Sequence, residues 1–325
     1  MSTASNDTLI NQLRSGTNII YAVMGVVLFV GGTIGNLCNI VVFMRIRTLS
    51  RLAASWFLLA SFIGSQMLVS TSVLSRAIFG ITGVESLATS VFWCKFRWLI
   101  GPAGGLISIT CICFAAIDRY LITSRQVNRH RWITPRRAQY IIVIVVFVWF
   151  MTSLPNVFLY TFPSCSVTNA IYSQYLTFYN ISTYSVFPLI ILPIFSYLTW
   201  NNLRRGVMAG IGQNRLQSQV TRMMFAQFGL VFGASVPNMV LQSYLAATRN
   251  IAKTPLRVAQ DGIVSCVLTM ISFAPHAMVF YVYLAVSATY RENVRTVLFS
   301  CLPIINRVTP LNEEPLQRMT KTGTN

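Results

Sequence analysis

The longest uncharged stretch of the chain runs from Ala138 to Leu203 and reads AQYIIVIVVFVWFMTSLPNVFLYTFPSCSVTNAIYSQYLTFYNISTYSVFPLIILPIFSYLTWNNL. Folded as a single helix, its 66 residues would be about 100 Å long. The hydrocarbon core of a bilayer is crossed by about 20 apolar residues. The stretch therefore predicts two membrane spans, with the break at its polar, turn-rich segment, Pro163 to Asn169.

Five more uncharged windows of at least 20 residues lie on either side of this stretch. They are Ile19 to Met44, Leu52 to Ser75, Trp98 to Ile117, Met223 to Thr248 and Gly262 to Tyr290. Cores of soluble proteins rarely contain so many windows long enough to cross a bilayer. The sequence therefore predicts an all-α membrane protein built as a seven-transmembrane helix bundle.

The composition excludes an ordinary soluble domain. Hydrophobic residues make up 54% of the 325 residues and charged residues only 10%, whereas globular chains carry about 25% charged residues. Lys and Arg outnumber Asp and Glu by 25 to 7, which gives a formal net charge of +18. In a soluble protein this excess would indicate a nucleic-acid partner. Here the charges lie between apolar windows, so the expected partner is anionic lipid of the inner leaflet and not nucleic acid.

The Lys and Arg residues of the loops set the orientation of the spans. Eighteen of them flank one side of the predicted spans and seven the other, so the first side is cytoplasmic. The chain is then a multi-pass protein, expected in the plasma membrane, with its N-terminus outside the cell and its C-terminus inside. This organisation gives an extracellular segment 1–18, a seven-transmembrane domain 19–302 that ends in a short inner helix, and a cytoplasmic tail 303–325.

Two N-glycosylation sequons fall on the predicted outer side. One is Asn6-Asp-Thr8 in the N-terminal segment, and the other is Asn180-Ile-Ser182 at the predicted outer end of the fifth span. Glycosylation of Asn6 and Asn180 is therefore expected.

Cys94 and Cys165 are both predicted to face the outside. Cys94 precedes Arg119 by 25 residues, or about 37 Å of helix, so it lies at the outer end of the third span when Arg119 lies at the inner end. Cys165 lies in the next long outer loop, which faces an oxidising compartment. A Cys94–Cys165 disulfide is predicted, and the alternative is two free thiols.

With this cysteine spacing, the triplet Asp118-Arg119-Tyr120 at the inner end of the third span resembles the rhodopsin-like family of G-protein-coupled receptors. The resemblance covers essentially the whole chain. The family's helix-by-helix markers are matched by Asn36 after Gly35, by Trp149 in the middle of the fourth span, and by Pro188 and Pro237 in the fifth and sixth. Phe280-Tyr-Val-Tyr283, with Tyr290 seven residues on, resembles a degenerate Asn-Pro-x-x-Tyr signature.

The segment after this signature has the pattern of an amphipathic helix. Its apolar stripe consists of Tyr290, Val294, Val297, Leu298 and Cys301, with charged residues off the stripe. Such a helix is expected to lie on the inner leaflet. Cys301 is a palmitoylation candidate, and the alternative is a plain buried thiol.

The resemblance implies a receptor that responds to an extracellular ligand by activating a heterotrimeric G protein. Asp118 would hold Arg119 at rest, and a released Arg119 would line the cavity for the G protein. The remaining residues that the resemblance assigns to coupling and activation are Tyr120, Tyr197, Gln217 and Tyr283. Gln217 stands where some members have an acidic partner for the arginine, so any clasp there is a neutral hydrogen bond.

Several positions depart from the family's pattern. Ser65 stands at the usual acidic position of the second helix, so a sodium ion beside Ser108 is not expected. Val279 and Phe280 replace the asparagine and proline of the seventh-helix signature. Ser235 replaces the sixth-helix tryptophan, and the aromatic switch is therefore missing or relocated.

Two ligand classes conflict with the sequence. Gly101 stands at the family's amine-binding carboxylate position, and no Asp or Glu lies in the outer half of any predicted span. Phe273 stands at the Schiff-base lysine of opsins, which excludes retinal. The basic outer surface suits a peptide or another anionic ligand, as in invertebrate orphan neuropeptide-type receptors, although single residues there are equally consistent with solvated helix ends. The ligand-pocket candidates are Arg76, Arg97, Gly101, Asn238 and Gln242.

Other functions have less support in the sequence. A transporter or channel, the main alternative, usually has repeated halves and charges inside its spans. An enzyme would need a carboxylate pair, a His-rich cluster or a nucleophile with its base, and the spans contain none of these. No cofactor or metal is expected. His276 is a lone histidine in the middle of a span and is either a functional or a packing residue.

Overall fold

The computed structural model describes residues 2–46, 52–84, 90–124, 133–208 and 215–301, with the backbone alone at 2–5, 205–208, 215–220 and 298–301. The described residues form nine helices and one two-stranded sheet. The helices are α1 (Ser2–Arg45), α2 (Ala53–Thr82), α3 (Val91–Thr123), α4 (Pro135–Leu159), α5 (170–208), α6 (Arg215–Ala247), α7 (Pro255–Ala277), α8 (Val279–Val286) and α9 (Ala288–Cys301).

Helices α1 to α7 are each long and apolar enough to cross a membrane. Their number and order confirm the predicted seven-helix bundle. Two of them contain a π-helical segment, which is Val69–Val73 in α2 and Ile181–Val186 in α5. The break predicted inside the longest uncharged stretch lies between α4 and α5, where β1 (Tyr160–Thr161) pairs antiparallel with β2 (Ser166–Val167).

Four helix starts are fixed by polar side chains in the loops. Ser90, Thr134, Asn169 and Thr254 each accept a hydrogen bond from the backbone N–H three residues on, which satisfies one of the unpaired donors of a helix start. In α4 and α7 a proline occupies the first helical position, where no N–H is needed.

Helix α3 lies at the centre of the bundle and is largely buried. Its backbone approaches that of α2 closely where Gly64 faces Gly104. A Cβ added to either glycine would lie 2.6 Å from the carbonyl oxygen of the other. The pair therefore lets the two helices pack backbone to backbone, as small residues do in membrane helix interfaces.

The outward faces of the bundle are apolar. On α4, Val143, Ile144 and Phe147 are 66%, 61% and 62% exposed. In water such a surface would be strongly unfavourable, whereas lipid chains cover it without cost. The exposed faces therefore support the membrane assignment independently of the hydropathy of the sequence.

Two helices begin further out than the uncharged windows indicate. Helix α1 begins at Ser2 and not near Ile19. Helix α7 begins at Pro255, so Asp261 lies inside it. Asp261 therefore adds a carboxylate at the polar outer end of α7, beyond the uncharged window. Helices extend beyond the bilayer with polar residues, which an uncharged window cannot detect. Helix α5 begins at Ala170, directly after the predicted break, so Asn180 lies ten residues inside it and not at its outer end.

The inner amphipathic helix is confirmed as α9. Tyr290, Val294 and Val297 are buried against the bundle, while Arg291 and Arg295 are exposed. Ser287 caps the start of α9, because its Oγ accepts a hydrogen bond from the backbone N–H of Tyr290 at 3.2 Å. The side chains of Leu298 and Cys301 lie outside the described part of the molecule.

Candidate functional site

An outer cavity of about 220 Å³ lies between α2, α3, α5, α6 and α7. Four of the five predicted pocket residues line it, namely Arg76, Arg97, Asn238 and Gln242. Gly101 does not. It packs against α2, where a Cβ on residue 101 would lie 2.6 Å from Ser72 Oγ and 3.0 Å from Thr71 Oγ1. The assignment of Gly101 to the pocket is therefore wrong, because its face of α3 is turned to α2.

The lining of this cavity is cationic and polar. Besides the two arginines and the amides of Asn238 and Gln242, it includes the amide of Asn180, and it contains no carboxylate among the described residues. Hydroxyl groups add to the polar lining, and they belong to Ser72, Tyr184, Ser235, Thr269 and Ser272. These groups can donate several hydrogen bonds to an acceptor-rich ligand.

Aromatic rings hold both cavity arginines in place. The guanidinium carbon of Arg76 lies 5.3 Å from the ring centre of Phe273, and that of Arg97 lies 5.4 Å from Trp98. Trp98 in turn stacks on Tyr160 of β1 at 4.2 Å. These cation–π contacts restrict both side chains, so less entropy is lost when an anion binds them.

The outer hairpin is fastened to the top of α3. Cys94 and Cys165 form the predicted disulfide and are buried together with Tyr160. Burial raises the pKa of Tyr160, so its hydroxyl stays neutral. The bond ties the strands to α3 beside Trp98, and the hairpin therefore positions one wall of the cavity.

A short chain of buried hydrogen bonds begins at His276, which lines the cavity. His276 Nδ1 lies 3.2 Å from Ser65 Oγ, which lies 2.8 Å from Ser108 Oγ. Ser108 Oγ is also 3.0 Å from Ser61 Oγ. All four side chains are buried. Neutral hydroxyls thus fill the space beside Ser108, in accord with the absence of a carboxylate there.

The inner end of α3 carries a buried ion pair. Arg119 Nη2 donates to Asp118 Oδ2 at 2.8 Å, and the side chains are 2% and 1% exposed. The same carboxylate oxygen accepts the backbone N–H of Ala54 at 3.1 Å. The pair is therefore joined to the first turn of α2. A buried guanidinium needs such a partner, since an unpaired charge is costly there.

Arg119 also lines a water-sized cavity between α3, α5 and α6. Its volume is about 10 Å³, and Phe195, Thr199 and Met224 contribute to its walls. Tyr120 packs edge to face on Phe195 at 5.6 Å. The inner ends of α5 and α6 are therefore closed over Arg119 in this structure.

The two tyrosines of the seventh-helix signature are both buried. Tyr283 donates its hydroxyl hydrogen bond to Gln227 Oε1 of α6 at 2.5 Å, and both side chains are at most 1% exposed. Tyr290 donates to Asn39 Oδ1 of α1 at 2.5 Å. Burial raises the pKa of Tyr290, which therefore acts as a neutral donor.

Two other residues expected at the inner site do not join it. Tyr197 is 67% exposed on α5, whereas Tyr283 is fully buried. Its assignment to activation has no contact to support it in this arrangement. Gln217 lies in the part of α6 described by its backbone alone, so its side chain lies outside the described residues.

The remaining marker residues have structural contacts. Asn36 Nδ2 donates to the His276 carbonyl oxygen at 3.0 Å, which joins α1 to α7. Trp149 Nε1 donates to Thr110 Oγ1 at 3.0 Å, which joins α4 to α3. Pro188 and Pro237 lie within α5 and α6. Of the two sequons, Asn6 is exposed near the start of α1, while Asn180 lies inside α5 and lines the cavity.

A family model described as 7 transmembrane receptor (rhodopsin family) matches residues 35–274, more than two thirds of the chain. The chain belongs to this family. The receptor is also similar to melanopsin of Homo sapiens, with 30% identity over 148 residues. That segment covers 42% of the receptor and 29% of melanopsin, so the receptor spans well under two thirds of that relative's length.

Two contact residues of this receptor were not predicted from its sequence. Gln227 is a polar residue within an apolar window, and a buried amide in a span is itself a signal of a specific partner. Tyr184 has no distinguishing signal in the sequence, because tyrosine is common in spans and its hydroxyl bonds to a backbone carbonyl group. Neither contact could be inferred from spacing along one helix, because both join different helices.

Proposed function

We propose that the receptor lies in the plasma membrane and converts binding of an extracellular ligand into activation of a heterotrimeric G protein. The observation that carries this proposal is the buried Asp118–Arg119 pair beneath closed α5 and α6. If α5 and α6 separate at their inner ends, the water-sized cavity beside Arg119 widens and Arg119 can leave Asp118. The opening would then admit a helix of the G protein.

The ligand is proposed to be a peptide with a free carboxylate, or another anionic small molecule. Arg76 and Arg97 both line the outer cavity, and the described lining contains no acidic side chain. Guanidinium groups bind carboxylates through paired, charge-assisted hydrogen bonds. Such a ligand would agree with the invertebrate orphan neuropeptide type that the sequence resembles.

The similarity to melanopsin does not lead us to propose a retinal ligand. Opsins require a lysine in the seventh helix for the Schiff base, and the matching residue here is Phe273. Phe273 lines the cavity beneath Arg76, and α7 contains no lysine. A cationic amine is also disfavoured. The Asp261 carboxylate lies inside α7 but is bonded to Lys253 at 2.6 Å and to the hydroxyl of Tyr244 at 3.1 Å.

The organisation around the described bundle follows from this proposal. Residues 1–18 would be extracellular, 19–302 would form the receptor domain, and the tail 303–325 would be cytoplasmic. Arg291 and Arg295 are exposed on α9, and we expect this face to contact anionic lipid of the inner leaflet. Palmitoylation of Cys301 would anchor the end of this helix.

The coupling is tested by guanine-nucleotide exchange in membranes that contain the receptor, measured on a panel of purified heterotrimeric G proteins. Arg119→Ala is the matched control, because it removes the inner cation without touching the outer cavity. Exchange above background that this substitution changes would support coupling and identify the G protein. Absence of exchange across the panel, with peptide extracts added, would overturn it.

The ligand class is tested with one peptide library synthesised twice, as C-terminal acids and as C-terminal amides. Members active as acids are expected to lose at least about tenfold in potency as amides, since a charge-assisted pair is worth roughly 1.5–3 kcal/mol. Arg76→Gln should remove that difference between acid and amide. Equal potency of the two forms on the unmodified receptor would contradict an anionic anchor.

A further inference from the structure

The receptor has no tryptophan at the sixth-helix position where its family has an aromatic switch. Ser235 stands there, buried and lining the cavity. A serine side chain cannot fill the space of an indole. In this structure an aromatic ring of α5, that of Tyr184, lines the same cavity and packs against the apolar core of the bundle.

Tyr184 is held from the α3 side by two features. Its hydroxyl donates a hydrogen bond to the carbonyl oxygen of Pro102 at 2.8 Å. Gly105 leaves room for the ring, because a Cβ on residue 105 would lie 2.9 Å from the hydroxyl oxygen and 3.1 Å from Cε1. The carbonyl group that the missing Pro102 N–H leaves free is that of Trp98, and it accepts a hydrogen bond from Asn156 Nδ2 at 3.2 Å instead. The Pro102 carbonyl oxygen has two lone pairs, so it can accept from Tyr184 in addition to any bond within α3.

Tyr184 also contacts α6, through its backbone. It lies in the π-helical segment Ile181–Val186, where the helix bulges. Ser235 Oγ lies 3.5 Å from the Tyr184 carbonyl oxygen, at the outer limit of a hydrogen bond. One residue thus touches α3 through its hydroxyl and α6 through its carbonyl, and its ring faces the ligand cavity.

We infer that Tyr184 is the positioning residue that couples the outer cavity to the sixth helix, in the role that the absent tryptophan has in relatives. The inference rests on the proposed receptor function. With its hydroxyl on Pro102, Tyr184 keeps α3, α5 and α6 together. A ligand that displaces the hydroxyl from the Pro102 carbonyl moves the π-helical segment away from Ser235 and releases α6.

The test measures the position of the inner end of α6 in the full-length receptor, with a bimane label on Arg222→Cys. Arg222 is an exposed residue of α6, and the same labelling of receptor without this substitution gives the background. Tyr184→Phe removes the hydrogen bond to Pro102, and Gly105→Ala pushes the ring away. Both are expected to raise the open fraction of α6 about fivefold, the effect of one neutral hydrogen bond.

Two matched controls separate coupling from packing. Tyr179→Phe removes a tyrosine hydrogen bond on the same helix, to Thr152 Oγ1 of α4 at 3.1 Å. Gly233→Ala adds a methyl group in α6 where no atom lies within 4 Å. Both controls should leave the bimane fluorescence unchanged. If Tyr184→Phe matches Tyr179→Phe, Tyr184 is a packing residue and the inference fails.

The fluorescence measurement does not depend on a G protein, so it separates this inference from the proposed coupling. A shift in Tyr184→Phe and Gly105→Ala, without nucleotide exchange on any G protein, would support the role of Tyr184 and count against coupling. Normal nucleotide exchange with unchanged bimane fluorescence in Tyr184→Phe and Gly105→Ala would overturn the role of Tyr184. It would leave the proposed coupling in place.

Discussion

At the scale of the residue, buried polar side chains fix which arrangement of the inner helices is stable. Gln227 on α6 and Tyr283 on α8 are both enclosed, and the Tyr283 hydroxyl donates a hydrogen bond to the side-chain oxygen of Gln227. Replacing Gln227 by Leu keeps the volume but leaves the Tyr283 hydroxyl without its acceptor, which costs about 1–3 kcal/mol. We expect Gln227→Leu to destabilise the closed arrangement and to raise basal nucleotide exchange, measured in the same membranes as the unmodified receptor.

A double-mutant cycle tests whether this effect belongs to the pair. Tyr283→Phe removes the donor. The loss of stability in the double variant Gln227→Leu/Tyr283→Phe should therefore be smaller than the sum of the losses in the two single variants. The thermal midpoint in detergent gives the stability, and basal exchange gives the population of the open form. Fully additive changes would mean that the two side chains act separately.

At the scale of the element, the close approach of α2 and α3 depends on glycine. A Cβ on residue 64 would lie 2.6 Å from the Gly104 carbonyl oxygen and 3.0 Å from Ser108 N, and neither backbone atom can move independently. Gly64→Ala is therefore expected to lower the thermal midpoint by several degrees, because overpacking typically costs about 1–3 kcal/mol. Gly229→Ala is the matched control, since no atom lies within 4 Å of its added Cβ, and it should be neutral or stabilising. Equal midpoints for the two variants would refute the close packing.

The outer hairpin is a second element whose position depends on one bond. Cys94→Ser removes the covalent link between α3 and the strands, and a native disulfide typically contributes about 2–5 kcal/mol. We expect a lower thermal midpoint and less receptor at the cell surface, measured by heating in detergent and by surface labelling. Cys165→Ser and the double variant should match Cys94→Ser, because all three lose the same bond. A double variant clearly worse than either single one would show separate roles for the two thiols.

The elements themselves could be read from the sequence, but their contacts could not. The absence of charge marks each span, since a charged residue in lipid is costly, and the cysteine spacing located the outer disulfide. Helix starts were misplaced at α1 and α7, because helices continue into water with polar residues such as Asp261. Gly101 was assigned to the pocket by position in the family, although the rotation of α3 turns it to α2. Such rotations depend on packing between helices, which has no signal along a single one.

At the scale of the whole molecule, charge decides the orientation. Eighteen cations on one side of the predicted spans against seven on the other predict that the N-terminus lies outside. The two sequons then test the orientation separately, although the sequence alone treats them alike. Asn6 is exposed at the outer start of α1, whereas Asn180 lies ten residues inside α5, about 15 Å along the helix, and faces the cavity.

One glycan, on Asn6, is therefore expected in the mature receptor. The glycosylation machinery needs access to the sequon from the lumenal side. Asn6 lies at the outer start of α1, whereas Asn180, although exposed, lies about 15 Å along α5 from its outer start. Asn6→Gln should abolish the mobility shift that endoglycosidase treatment produces on a gel, and Asn180→Gln should leave that shift intact. A shift that depends on Asn180 would mean that the outer end of α5 is unwound when the chain enters the membrane. A receptor without any glycan, whose N-terminal epitope is reached by antibody only after the cells are permeabilised, would reverse the orientation and with it the assignment of the cavity to the extracellular side.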